Sequence, residues 1–219
     1  MNSQEFVADL DRANRAHLEK IDALRDPSCA IPDRVEVIRR LKLALRQELE
    51  AAEIAALWLP DTQAVDLKLA LARLCGDEAR HYSAIARRLE QLGEDASAIN
   101  PFAEGRSKLY EFFAGLTDPV ARVAAAQFTR EAIGHIRNEQ FIAYCETAGD
   151  AETARLYREE IQPDEWAHVQ AGRALLEKYA QTEEQQARAR AASEKLLAMA
   201  EGFVEMLIRT QKMSNAPGC

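Results

Sequence analysis

Two Glu-x-x-His strings constrain this chain more than any other feature: Glu78-Ala79-Arg80-His81 and Glu165-Trp166-Ala167-His168. In a helix, positions i and i+3 share a face one turn apart, so each string aims a carboxylate and an imidazole at the same place. An aspartate leads into each, Asp77 and Asp164. Such a chain is expected to be helical at both strings, and to bring two helices together if both serve one site.

Composition agrees with helix nearly throughout. The 219 residues include only 9 Gly and 7 Pro, and Val and Ile do not fall into alternating strand patterns. That length suits one domain with a sizeable core, expected here to span 1–219. The formal charge of −8 argues against non-specific binding to nucleic-acid phosphate. No apolar run approaches the roughly 18 residues of a membrane span. The first residues lack the layout of a secretory signal, and Cys29, Cys75, Cys145 and Cys219 are too scattered for a disulfide framework. The expectation is a cytoplasmic protein with reduced thiols.

The pattern predicts an all-α four-helix bundle with one long crossover. Its core, about 33–180, holds helices at about 33–58, 62–92, 118–148 and 151–180, with additional helices at about 3–25 and 182–210. Asp26-Pro27-Ser28 and Ile31-Pro32 separate the first two, Asp61 is the expected cap at 62, and Asp118-Pro119 and Asp150 open later helices. Thr182 with Gln185 reads as a capping box. Short loops make two antiparallel hairpins, joined by about 25 residues that include a short helix near 107–116.

Each hairpin then supplies one further carboxylate. Glu48 precedes Glu78 by 30 residues and Glu131 precedes Glu165 by 34, all near mid-helix. Folding at the loops carries Glu48, Glu78, His81, Glu131, Glu165 and His168 to one core layer. Ala44, Leu45, Ala51, Ala52 and Ala55 share the face of Glu48, where a buried carboxylate would cost several kcal/mol without a counter-charge such as a metal ion. Glu50 and Glu53 are alternatives to Glu48, and His135, one turn beyond Glu131, is a further ligand or hydrogen-bond partner. Asp77 and Asp164, one turn before His81 and His168, are each expected to hold the neighbouring imidazole by its free nitrogen, with Arg80 neutralising a buried aspartate. Pro163 is expected to bend its helix beside this layer. Tyr82, Phe128, Tyr144 and Trp166 are candidates to shape a pocket.

These strings, with Gln47-Glu48-Leu49-Glu50-Ala51-Ala52-Glu53 and Thr129-Arg130-Glu131-Ala132, resemble the ferritin-like di-iron carboxylate superfamily. Within it they are most similar to the bacterial family known as domain of unknown function 455, over about residues 35–180. The resemblance implies the six ligands named above and two iron ions, or manganese or a mixed Fe/Mn pair, a choice that suits oxygen donors with two imidazoles. It implies an oxygenase or oxidase acting on O2 and a small organic molecule, with an electron donor, working as a monomer or small homo-oligomer. A ferroxidase or peroxide-scavenging protein is the alternative, and a non-catalytic helical scaffold a third.

Overall fold

The computed structural model describes residues 1–23 and 33–210. Among the described residues there are seven helices and no strand, an all-α helical bundle. Helix α1 is Ser3–Ala23, α2 Arg34–Trp58, α3 Val65–Gln91 and α4 Lys108–Ala114. Helix α5 covers 119–147 in three parts, Pro119–Arg122, a wide π segment Val123–Arg130, and Glu131–Thr147. Helix α6 covers 151–179 as Ala151–Leu156, a π segment Tyr157–Ile161, and Gln162–Tyr179. Helix α7 is Glu183–Thr210. The expected breaks at 26–28 and 31–32, Cys29, Cys219 and the end of the chain lie outside the described residues. No helix among the described residues is long and apolar enough to cross a membrane.

The helix starts follow from the side chains that satisfy their free N–H groups. Asp33, Asp118 and Asp150 accept hydrogen bonds from the backbone N–H of Glu36, Ala121 and Thr153 at 2.7, 2.9 and 3.0 Å. Thr182 and Gln185 make both halves of the expected capping box, at 3.2 and 3.0 Å. Asp61 is a correction, because α3 begins at Val65 behind Ala64 and has no side-chain cap. The intervening turn is spent closing α2, where the buried Thr62 hydroxyl donates to the Trp58 carbonyl at 2.7 Å.

Helices α2 and α3 pack along one another, and α6 lies against the π segment of α5. Helices α1 and α7 pack together and cover the second hairpin, while α4, on the crossover, rests on α2. Burial divides into apolar clusters at different levels. Ile54, Trp58, Leu71, Leu74, Phe113 and Ala125 fill one end of the bundle. Val37, Leu41, Leu45, Ile85, Phe141 and Ile161 fill the other. Between them α2 passes through Glu48, and α3 through Glu78 and His81.

The two wide turns set the register of the second hairpin. The Glu131 N–H bonds the Ala126 carbonyl and the Gln162 N–H bonds the Tyr157 carbonyl, each five residues back. Beside Pro163, which was expected to bend this helix, the helix widens just before the residue that has no N–H to give. The α5 segment is also pinned from outside: Asn14 of α1 donates to Thr129 at 3.1 Å, and Thr129 to Ser193 of α7 at 2.9 Å, all three buried.

Gly172 of α6 is where the wide turn needs room. A Cβ there would stand 2.8 Å from the carbonyl carbon of Gln127 and 2.9 Å from the amide nitrogen of Phe128, both backbone atoms. Gly172→Ala should therefore push α6 off the π segment and cost about 1–3 kcal/mol, the usual range for overpacking. Gly76→Ala, where a Cβ meets nothing within 4 Å, should cost none of this. Urea unfolding of the two variants checks the difference.

Candidate metal centre

All six expected ligands are buried, none more than 4% exposed. Ligand atoms of Glu48, Glu78 and His81 lie within 4.8 Å of one another, as do those of Glu78, Glu131 and His168. Glu78 belongs to both groups and is the carboxylate placed to bridge them. Glu165 stands outside these two groups but close to Glu131, whose charge, with those of Glu78 and Glu48, acts on it.

The distances suit an ion better than direct hydrogen bonds. His81 Nδ1 is 3.6 Å from both Glu48 Oε2 and Glu78 Oε2, and His168 Nδ1 is 3.7 Å from Glu131 Oε2. These are too long for hydrogen bonds. Two ligands each about 2.1 Å from one ion stand roughly 3.0–3.5 Å apart, just below these three separations. Eight buried atoms here have no hydrogen-bond partner: both oxygens of Glu48 and of Glu165, Oε2 of Glu78 and of Glu131, and Nδ1 of each histidine. Orphaned buried polar atoms cost about 1–3 kcal/mol each and more when charged, so eight converging in one layer fit a bound cation.

Electrostatics express the same strain. Burial, and then the charge of Glu78, push the Glu48 carboxyl up to about 8. Burial and its three acidic neighbours push Glu165 well above the carboxylate range. Burial works against charge on His81 and His168, but Glu48 and Glu78 raise the first to about 11, and Glu131 with Glu78 and Asp77 raise the second to about 9. A bound cation would relieve the same repulsion between the acids.

The other imidazole nitrogens are held, in a crossed arrangement. His81 Nε2 stands 3.1 Å from Asp164 and His168 Nε2 stands 3.0 Å from Asp77. Each aspartate thus serves the histidine of the opposite hairpin, which corrects the expectation that each would hold the histidine one turn along its own helix. An ionised carboxylate can only accept, so Nε2 carries the hydrogen and Nδ1 is the atom left for a metal. Arg80 donates to Asp77 at 2.8 Å and to Asp164 at 2.6 Å.

Arg130 is the functional residue that spacing did not reveal. It is buried, and donates to Glu131 Oε1 at 3.1 Å and to Glu78 Oε1 at 3.2 Å. Against the penalty of burial, its charge and those of the histidines hold Glu78 and Glu131 below the usual carboxylate range. A regular helix sets adjacent residues about 100° apart, but the π segment ends between these two and lets both reach the layer. A signal was present: after Arg122, Arg130 is the one charged residue in the run 123–130.

The remaining candidates fall elsewhere. Glu50 binds Ser107 at the start of α4, and Glu53 pairs with Arg106, so neither competes with Glu48. His135 joins neither ligand group, and its ring lies 5.6 Å from that of Trp166. The four pocket candidates do not converge. Tyr82 and Tyr144 belong to one apolar cluster, Phe128 faces the outer helices, and Trp166 is 53% exposed. A groove of about 200 Å³ is lined instead by Ala84, Arg87, Arg88, Glu152, Arg155 and Glu159, among others. Cys75 and Cys145 are free thiols.

Glu78→Ala leaves both groups incomplete and should lower bound metal to less than one ion per chain, whereas Glu53→Ala should leave it unchanged, as read by elemental analysis. Arg130→Met, in metal-free protein, strips buried Glu78 and Glu131 of their cation and should cost about 3–5 kcal/mol in chemical unfolding.

The family whose description is protein of unknown function (DUF455) matches residues 46–210, a stretch that holds all six residues of the layer. Among curated proteins none matches the chain. The match also reaches α7, which the resemblance over 35–180 had left outside. The chain belongs to the DUF455 family.

Proposed function

We propose that the protein is a non-haem di-iron carboxylate oxidoreductase, holding two iron ions, or manganese or a mixed pair, and using O2 to oxidise a small organic substrate. The observation that carries this reading is the set of eight orphaned ligand atoms on four helices, enclosed between apolar clusters. Six oxygens and two imidazole nitrogens suit iron or manganese better than softer metals. Bound there, a ferrous pair would supply the electrons that reduce dioxygen.

The chain's own residues prepare that chemistry. Glu78 is shared by the two half-sites, Glu48 with His81 on one side and Glu131 with His168 on the other, and Glu165 stands beside Glu131. Asp164 and Asp77 fix the imidazoles so that Nδ1 faces inward. Arg130 occupies one oxygen each of Glu78 and Glu131, leaving the other free. The apolar clusters exclude bulk water, which strengthens each charge interaction inside.

A second reading, a ferroxidase or peroxide-consuming protein, is favoured by the scatter of Tyr82, Phe128, Tyr144 and Trp166, which do not form an organic pocket. Anaerobic loading with ferrous iron, then oxygen exposure, separates these functions. The expected result is about two irons retained per chain, and oxygen uptake that an organic substrate accelerates. Uptake that tracks iron or peroxide alone would select the second reading. Retention of neither iron nor manganese would leave a non-catalytic scaffold.

A further inference from the structure

We propose that Arg80 couples the two half-sites, so that they fill with metal together rather than one at a time. This rests on the metal-centre reading above. The geometry is one continuous chain of contacts: His81 Nε2 to Asp164 Oδ2, Asp164 Oδ2 to Arg80, Arg80 to Asp77 Oδ1, and Asp77 Oδ2 to His168 Nε2. Every link is between 2.6 and 3.1 Å. The two histidines are joined through a single guanidinium.

Three features make this a coupling and not merely a pair of supports. The aspartates are crossed between hairpins, so fixing one histidine fixes an acid that belongs to the other hairpin. The guanidinium is a rigid planar fork, and holding both acids at once sets their separation in a way a point charge would not. The duplication is also broken at this position. The first signature carries Arg80 immediately before its histidine, and the second carries Ala167, so the second half-site has no arginine of its own here. One cation serves both.

An ion that orders His81 therefore orders Asp164, Arg80, Asp77 and His168 in turn, and the second ion meets a site already set. Coupling free energies between sites commonly correspond to about 5–150-fold in affinity, and about ten-fold suffices to keep singly filled protein scarce. The Arg80 side chain is 53% exposed and covers no core, so its replacement should leave the fold intact.

Manganous ion is the probe, because electron paramagnetic resonance separates isolated ions from exchange-coupled pairs. The full-length metal-free protein is mixed anaerobically with one equivalent of Mn2+. The expected spectrum is that of coupled pairs beside empty protein, with little isolated-ion signal. Arg80→Ala should convert most of the bound ion to the isolated-ion signal at the same equivalence, while still reaching two ions in excess metal. Arg80→Lys, whose ammonium lacks the planar fork that sets the separation of the two acids, should behave like Arg80→Ala. Arg73→Ala, which removes the other arginine touching Asp77, should keep the coupled pattern. The coupling is overturned if wild type accumulates isolated ions at one equivalent, or if Arg80→Ala and Arg80→Lys both keep the wild-type pattern. Absence of bound manganese and of bound iron in wild type would overturn the metal centre itself, and this proposal with it.

Discussion

Everything in this molecule is arranged around acidic side chains brought together in its buried interior. Glu48, Glu78, Glu131 and Glu165 are buried to within about one per cent of exposure, on four different helices. Undirected collapse would not produce that, since each unpaired buried carboxylate costs several kcal/mol. Arg130, which donates to Glu78 and Glu131, and the two imidazoles offset part of the repulsion between these acids. The eight atoms still without partners mark how incomplete that offset is.

The cost of the layer accounts for features far from it. Helices α1 and α7 wrap the second hairpin, where both π segments lie, and the Asn14–Thr129–Ser193 chain ties them to the wide turn preceding Arg130. Gly172 gives the same turn space on the inside. A wide turn is a weak point in a helix and needs such support, yet it is what turns Arg130 and Glu131 toward the same layer. Local strain and functional geometry are here the same feature.

How far the sequence could be read depended on whether a relation is local or crosses between helices. Helix ends marked by Asp118-Pro119, Asp150 and Thr182 were legible because a cap is made by residues two or three apart. Asp61 misled because the rule that names caps does not see Thr62 closing the previous helix. The convergence of Glu48 with Glu78 was legible from hairpin arithmetic, while the crossed aspartates were not, since only the facing helix decides which ring an acid meets. Arg130 was hidden by a change of helical period, which a regular 3.6-residue reading assigns to the wrong face. The aromatic residues failed as a group because sharing a stretch of sequence with the site does not set the level at which a side chain packs.

The duplication behind the site is imperfect, and the imperfections fall where they matter. Glu131 is preceded by Arg130, and Glu48 by Gln47, whose Oε1 is buried without a partner. Arg130 donates directly to Glu131, whereas the residue before Glu48 is a neutral amide. Glu131 is held low while Glu48 rises to about 8, although the two occupy matching places on their hairpins. At buried positions such a difference is poorly screened, so one repeated pattern gives Glu48 and Glu131 unequal electrostatic surroundings.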